Sequence, residues 1–190
     1  MRGSMFFCGL VMVCMTLFFI SPNASQAQTP PTKAQIDHGE YIVRVGGCAD
    51  CHSPKVMTPN GPVPHPMKGL SGQQADAKLP AIPKDVIGPD KWAAITNNDF
   101  TAWVGPWGVS FSANITPDPA TGIGGWTEDM FIKTLRTGKH MGTGRNLLPP
   151  MPWPTIGQMT DRDLKDVFAY LKSAKPIANR VPDPIPPMMK

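Results

Sequence analysis

Apolar residues recur at helical spacing near the C-terminal end of the chain. One face of this stretch carries Leu164, Val167, Phe168 and Leu171 at positions i, i+3, i+4 and i+7. Thr160 precedes it as a suitable N-cap, and Pro176 cannot continue a helix. The pattern therefore predicts an amphipathic helix that begins after Thr160 and stops before Pro176.

Two earlier stretches also predict helices. Residues 34–47 place Ile36, Gly39 and Ile42 or Val43 at core-facing spacing, and Gly46-Gly47 ends the pattern. Gly39 lowers the stability of a helix by roughly 1 kcal/mol relative to alanine, which invites a packing explanation such as the close approach of another helix.

The second of these stretches is residues 127–137. Thr127 is a plausible N-cap, Phe131 and Leu135 form an apolar face, and Gly138 follows the last helical position.

Between the first two helices, residues 53–113 are rich in proline and glycine and show little periodicity. We expect consecutive turns there, with at most a short helical piece within 91–104. Trp92, Trp103 and Trp107 would either anchor this loop or cover an apolar cofactor edge. Three helices joined by long loops predict an all-α domain.

The N-terminus has the pattern of a secretory signal peptide. Arg2 precedes an apolar run over 5–20, and small residues at 25–27 suit cleavage after Ala27. A retained membrane anchor is the alternative, but the run is shorter than the roughly 20 residues that span a bilayer. We expect a signal peptide over 1–27, a mobile leader over 28–33, one domain over 34–182 and an extended proline-rich tail over 183–190.

The stretch CADCH holds the most specific chemistry. Cleavage of the signal peptide would remove Cys8 and Cys14 and leave only Cys48 and Cys51. A disulfide framework or a zinc site would need more cysteines or histidines, and a thioredoxin-like motif would need a βαβ context. Cys-x-x-Cys-His instead predicts covalent haem, with two thioether links and His52 on the iron. A single such motif predicts one haem c.

Charge adds little to this picture. Removal of Arg2 from the 18 basic residues leaves 17 against 14 acidic residues. Two haem propionates would cancel most of this excess, and the basic residues are scattered along the chain. We therefore expect no nucleic-acid partner.

The iron would need a second axial ligand opposite His52. Met151 is the best candidate because prolines flank it in LLPPMPWP and apolar neighbours would keep the thioether dry. Met141, Met67 and His140 remain alternatives, and a buried Met151 beside an open iron is another.

Several motifs together resemble class I c-type cytochromes. NITPDPATGIGGW, FIKTLRTG, LPPMPW and MTDRDLKDVFAYLKS are similar to the haem domains of cytochrome c subunits that accompany membrane-bound alcohol and sugar-acid dehydrogenases. The resemblance covers 35–182 and implies an all-α class I cytochrome c-like fold. It also implies covalent links at Cys48 and Cys51 and axial ligation by His52 and Met151.

The resemblance makes further structural predictions. The first and last helices would cross, with Gly39 against Phe168, Tyr170 or Leu171. A proline carbonyl would accept a hydrogen bond from His52, and Pro62, Pro64 and Pro66 are all possible. Asn114 and Arg136 would either reach the haem propionates or lie on the solvated surface.

The predicted function is one-electron transfer without catalysis. A periplasmic mono-haem cytochrome would carry electrons from a dehydrogenase or a quinol-oxidising donor to an oxidase or reductase. Subunits of the resembled family usually carry three haem domains, so the donor and acceptor do not follow from it. The alternative is a haem enzyme or small-gas sensor with an open iron site, where His140 and Arg145 would be distal groups.

Overall fold

A computed structural model describes residues 30–187. The predicted signal peptide over 1–27 and the last three residues lie outside this range. The described helices are α1 (Lys33–Val45), α2 (Cys48–His52), α3 (Glu128–Thr137), α4 (Trp153–Ile156) and α5 (Asp161–Ser173), with a 3-10 turn at His140–Gly142. The described strands are β1 (Lys55–Thr58), β2 (Gly61–Pro64), β3 (Ile95–Thr96), β4 (Ala102–Gly105) and β5 (Gly108–Phe111).

The three long helices confirm the predictions made from apolar spacing. Thr127 caps α3 by accepting a hydrogen bond from the Met130 amide, and Gly138 follows it in the left-handed conformation. Thr160 and Asp163 form a reciprocal capping box at the start of α5. The first amides and the last carbonyls of a helix have no partner within it. The side chains of Thr127 and Thr160 accept hydrogen bonds from such amides, so these residues mark where the helices begin.

Helices α1 and α5 cross at Gly39, as predicted. A Cβ atom at this position would overlap the carbonyl oxygen of Asp166 and would lie 2.9 Å from the Cβ of Tyr170. The predicted neighbour Tyr170 is therefore correct, while the tightest approach is to the backbone of α5 one turn earlier. Only a residue without a side chain permits this distance between the helices.

The hydrophobic core lies between α1, α3 and α5. Phe131 and Phe168 pack with ring centroids 5.2 Å apart, and Leu164 is completely buried. Burying each large apolar side chain contributes about 1.5–3 kcal/mol. The core cluster consists of Val43, Leu70, Ile123, Phe131, Leu135, Leu164, Val167, Phe168 and Leu171.

The all-α prediction is wrong, because residues 53–113 contain two small antiparallel sheets. Strands β1 and β2 form a hairpin, and β3, β4 and β5 form a three-stranded sheet in that order. The predicted helical piece within 91–104 is wrong as well, since β3 and β4 lie there. Strands of two to four residues are too short to show the apolar alternation of longer strands.

The C-terminal tail pairs with the three-stranded sheet. The amide of Val109 donates to the Ile185 carbonyl at 2.8 Å, and the Ile185 amide donates back at 2.9 Å. Asn179 is buried and donates to the carbonyls of Ser71 and Gln73 at 2.7 and 2.8 Å. Ile185 of the tail therefore pairs with one edge of the sheet, and Asn179, just before the tail, holds part of the segment that follows β2. No helix within residues 30–187 combines the length and the hydropathy needed to cross a bilayer.

Candidate functional site

Helix α2 consists of the CADCH motif itself. Gly47 precedes it at φ 64°, a left-handed conformation that favours glycine and turns the chain out of α1. Cys48 and Cys51 are three positions apart, so they lie on one side of the helix. Both thiols are free and half-buried. The motif thus presents two adjacent sulfur atoms, followed directly by an imidazole.

Burial disfavours the thiolate form of both cysteines. Burial raises the pKa of Cys48, and burial raises the pKa of Cys51 although the Lys55 ammonium opposes it. Reactive redox cysteines and thiolate metal ligands need a lowered pKa instead. Neutral, partly buried thiols fit the addition of S–H groups to the vinyl groups of a haem.

His52 is oriented by a backbone carbonyl. Its Nδ1 lies 2.8 Å from the carbonyl oxygen of Ala113, so Nδ1 carries the proton and Nε2 keeps its lone pair. Burial lowers the pKa of His52, which favours the neutral ring. A histidine fixed through one nitrogen and free at the other is the usual arrangement for a metal ligand.

The acceptor for His52 corrects a prediction. A proline carbonyl was expected, with Pro62, Pro64 and Pro66 as candidates, but Ala113 takes this role. The sequence carried no signal for this acceptor, since every residue has a carbonyl and only the fold brings residue 113 to α2.

Met151 lies in a tethered loop beside the core. The Ser110 hydroxyl donates to the Pro149 carbonyl at 2.5 Å, and the Leu147 amide donates to the Gly138 carbonyl at 2.7 Å. Helix α4 begins two residues later. Met151 is half-buried and packs against the same core cluster as Cys48.

The other methionines proposed as ligands have different surroundings. Met67 is 64% exposed, and Met141 is 40% exposed with a positive φ of 54°. A thioether binds iron weakly and needs a site protected from water. Burial therefore favours Met151 over both.

In the alternative hypothesis of an open iron site, His140 and Arg145 would be the distal groups, and both make contacts with other residues. The ring of His140 packs edge-on against Trp126, with ring centroids 5.1 Å apart. Burial lowers the pKa of His140, and the charge of Arg145 lowers it further. The guanidinium of Arg145 donates to the Asn146 carbonyl at 3.3 Å.

An apolar cavity opens beside the first cysteine, where α1, α2 and α5 approach each other. Its walls carry almost no polar surface, but its volume of about 30 Å³ leaves room for little more than a water molecule, so it cannot hold a porphyrin as it stands. The residues that line it are Ile42, Gly46, Cys48, Ile156, Met159, Leu164 and Val167.

Two residues considered for propionate contacts have other roles. Asn114 is buried, and its amide donates to the Ile177 carbonyl at 2.8 Å. Arg136 donates to the Gly157 carbonyl and pairs with Asp161 at 2.6 Å. Both side chains hold loops together. The solvated-surface alternative is wrong for Asn114, which is buried, while a propionate contact stays a prediction.

The tryptophans serve mainly to fix the sheet region. The indole of Trp103 donates to the Phe100 carbonyl at 2.9 Å, and that of Trp107 donates to the Ser110 hydroxyl at 3.2 Å. Trp92 is 69% exposed. These contacts favour the prediction that Trp103 and Trp107 anchor the loop.

Comparison with known proteins shows which class of protein this chain is similar to. No protein-family model matches the chain. It is 31% identical to the gluconate 2-dehydrogenase cytochrome c subunit of Pantoea cypripedii over 89% of its own length and 29% of the relative's. It is 40% identical to the fructose dehydrogenase cytochrome subunit of Gluconobacter japonicus, over 85% of this chain and 27% of the relative.

A third relative extends the pattern to an alcohol dehydrogenase. The chain is 29% identical to the cytochrome c subunit of the quinone alcohol dehydrogenase of Gluconobacter oxydans, over 88% of its length and 27% of the relative's. The chain thus spans less than a third of these relatives. The predicted resemblance to c-type cytochromes of dehydrogenases is confirmed. The names of these relatives, cytochrome subunits of dehydrogenases, agree with the prediction of an electron-transfer protein.

Proposed function

We propose that this chain is a periplasmic mono-haem c-type cytochrome that transfers single electrons between a dehydrogenase and a further redox protein. The observation that carries the proposal is the geometry of α2. Two free thiols, three positions apart, lie on one side of the helix, and the Nδ1 of His52 donates to the Ala113 carbonyl while its Nε2 remains available.

The residues of the proposed site would hold the haem in two ways. Cys48 and Cys51 would form the thioether links, and His52 and Met151 would be the axial ligands. A bound haem supplies one-electron chemistry through its iron. The Ala113 carbonyl fixes the imidazole ring, and the tethered 147–151 loop limits the freedom of the Met151 sulfur. With His52 and Met151 both bound, the iron would have no free position for a substrate, since the two thioether links would join the porphyrin and not the iron.

One haem per chain rests on the single Cys-x-x-Cys-His motif. Export to the periplasm rests on the N-terminal pattern and on the compartment in which such haem attachment occurs. A dehydrogenase as the electron donor rests on the names of the relatives. An oxidase or reductase would accept the electrons.

Carbon monoxide binding to the reduced protein tests whether both axial positions of the iron are taken, as an electron carrier requires. With both axial positions taken, the ferrous wild-type protein should bind carbon monoxide slowly or not at all. Met151→Ala should open the iron to carbon monoxide and remove the near-infrared sulfur-to-iron absorption of the oxidised protein.

The matched control for this test is Met67→Ala, which removes an exposed thioether. Its spectrum and carbon monoxide binding should equal those of the wild type. Rapid carbon monoxide binding by the unmodified protein would contradict the proposal and support an open-site haem enzyme or gas sensor.

A further inference from the structure

Lys55 makes an unusual set of contacts just after the motif. Its ammonium group donates to three backbone carbonyls, those of Asp50 at 2.6 Å, Ser53 at 2.8 Å and Ala49 at 3.2 Å. All three acceptors belong to α2 or to the residue that follows it. An ammonium group has three N–H donors, and all three of these acceptors lie on one short turn.

Helix α2 needs such donors because it is only five residues long. The last four carbonyls of a helix lack partners within it. Lys55 donates to the carbonyls of Ala49 and Asp50, and the Gly72 amide donates to the His52 carbonyl at 2.7 Å. A cation at the C-terminus of a helix is also favoured by the helix dipole.

The backbone of Lys55 is also held in place by a hydrogen bond. Its backbone amide donates to Asp99 Oδ1 at 3.0 Å, which joins β1 to the loop between β3 and β4. Burial lowers the pKa of Lys55, while Asp50 raises it. The side chain is therefore positioned from both ends, and its charge has a defined place next to α2.

We propose that Lys55 is a positioning residue of the haem site, which clasps the carboxyl end of α2 and sets one positive charge beside the helix that carries the cofactor. The proposal rests on the proposed function. Adding one electron lowers the charge at the iron by one, so a nearby fixed cation stabilises the reduced state more than the oxidised state. Lys55 would thus hold the motif in shape and raise the reduction potential.

The test compares three variants that separate these effects. Lys55→Gln removes the charge and most of the donors, while Lys55→Arg keeps the charge and can still donate. Lys84→Gln is the control, because Lys84 is exposed and its substitution changes the net charge by the same amount. Midpoint potentials would be measured by redox titration of the haem-loaded proteins.

We expect a lower midpoint potential for Lys55→Gln, a potential near that of the wild type for Lys55→Arg, and no shift for Lys84→Gln. A potential for Lys55→Gln equal to that of the control would overturn the electrostatic part of the proposal. The fraction of chains with covalent haem should also fall in Lys55→Gln and recover in Lys55→Arg.

A second measurement, on the purified proteins as they are isolated, tests the clasp by a readout other than the potential. Hydrogen exchange of the amides of residues 48–52 should be several-fold faster in Lys55→Gln than in the wild type, and unchanged in Lys84→Gln. Equal exchange in all three proteins would overturn the clasp. If the wild type holds no covalent haem, the proposed function and the effect on potential both fail, while hydrogen exchange still decides the structural role.

Discussion

The helical region and the proline-rich region of this domain are stabilised by different means. Helices α1, α3 and α5 surround an apolar core in which Leu164 is completely buried. Residues 53–113 bury mostly polar side chains, among them Gln73 and Thr101, whose side chains are joined by a hydrogen bond of 2.6 Å. The candidate site lies where the two regions meet, since α2 adjoins α1 and His52 bonds to Ala113.

The difference between the apolar helical core and the polar irregular region explains how the site is kept rigid. The helices present the cysteines, whereas hydrogen bonds in the irregular region fix the carbonyl that orients His52. Buried polar networks specify one arrangement because each unsatisfied group is costly. Apolar packing supplies most of the stability, and polar networks supply the precise position of the ligand. Each region can be tested by substitution.

The largest expected effect is the loss of an apolar core side chain. Leu164→Ala should lower the free energy of unfolding by about 2–5 kcal/mol, because it leaves a cavity between α5 and its neighbours. Denaturant unfolding would measure it. The matched control is Leu79→Ala, at a position that is 40% exposed, which should change stability by less than about 0.5 kcal/mol.

A somewhat smaller effect is expected at the helix crossing. Gly39→Val should destabilise the fold by about 1–3 kcal/mol, since the new side chain would overlap the backbone of Asp166. Gly125→Val is the control, because a Cβ there would have its nearest neighbour at 3.8 Å. An unchanged denaturation midpoint for Gly39→Val would mean that the helices do not pack as described.

The loss of a side chain that holds the polar region from outside should have a smaller effect, and Asn179 of the C-terminal segment is such a side chain. Asn179→Ala removes the two donors to Ser71 and Gln73 and the acceptor for the Ala75 amide. We expect a loss of about 1–3 kcal/mol, because buried backbone groups are left without partners. The exposed Asn98→Ala is the control. A cost above that of Leu164→Ala would break the comparison between the regions.

The smallest effect concerns the acid stability of α5. A hydrogen bond from the Thr160 hydroxyl lowers the pKa of Asp163 below its ordinary value of 3.8. A lowered folded-state pKa contributes stability above pH 3.8, and this stability is lost as the pH falls through the lowered pKa. The stability difference between the wild type and Asp163→Asn should therefore shrink below that pH.

Thermal unfolding of both proteins between pH 6 and pH 2 would measure this change, with Asp183→Asn as a control for the loss of one exposed carboxylate. A difference that stays constant over the whole range would show that the Asp163 charge does not stabilise the cap.

The sequence allowed the three long helices to be predicted, because caps and apolar spacing are local signals, whereas the short helices α2 and α4 were not predicted. Thr127, Thr160 and Gly138 each mark a helix end by the backbone group that they satisfy or the conformation that they permit. Gly39 could also be interpreted, since a glycine inside a helix needs a packing reason.

The sheets and the support of His52 could not be predicted in the same way. Strand β3 has two residues, and its pairing with β4 depends on a turn held by the Asn97 side chain, which accepts hydrogen bonds from the amides of Thr101 and Ala102. The Ala113 carbonyl has no side-chain signature. Lys55 stood three residues after the motif, but only the fold shows its three acceptors.

The most direct test of the account is the mass of the exported, purified protein under denaturing conditions. We predict one haem bound covalently to each chain, retained through acid-acetone extraction, and absent when Cys48 and Cys51 are both replaced by serine. A wild-type protein with the mass of the polypeptide alone, or one whose haem extracts freely, would contradict the central claim that α2 carries a covalent haem.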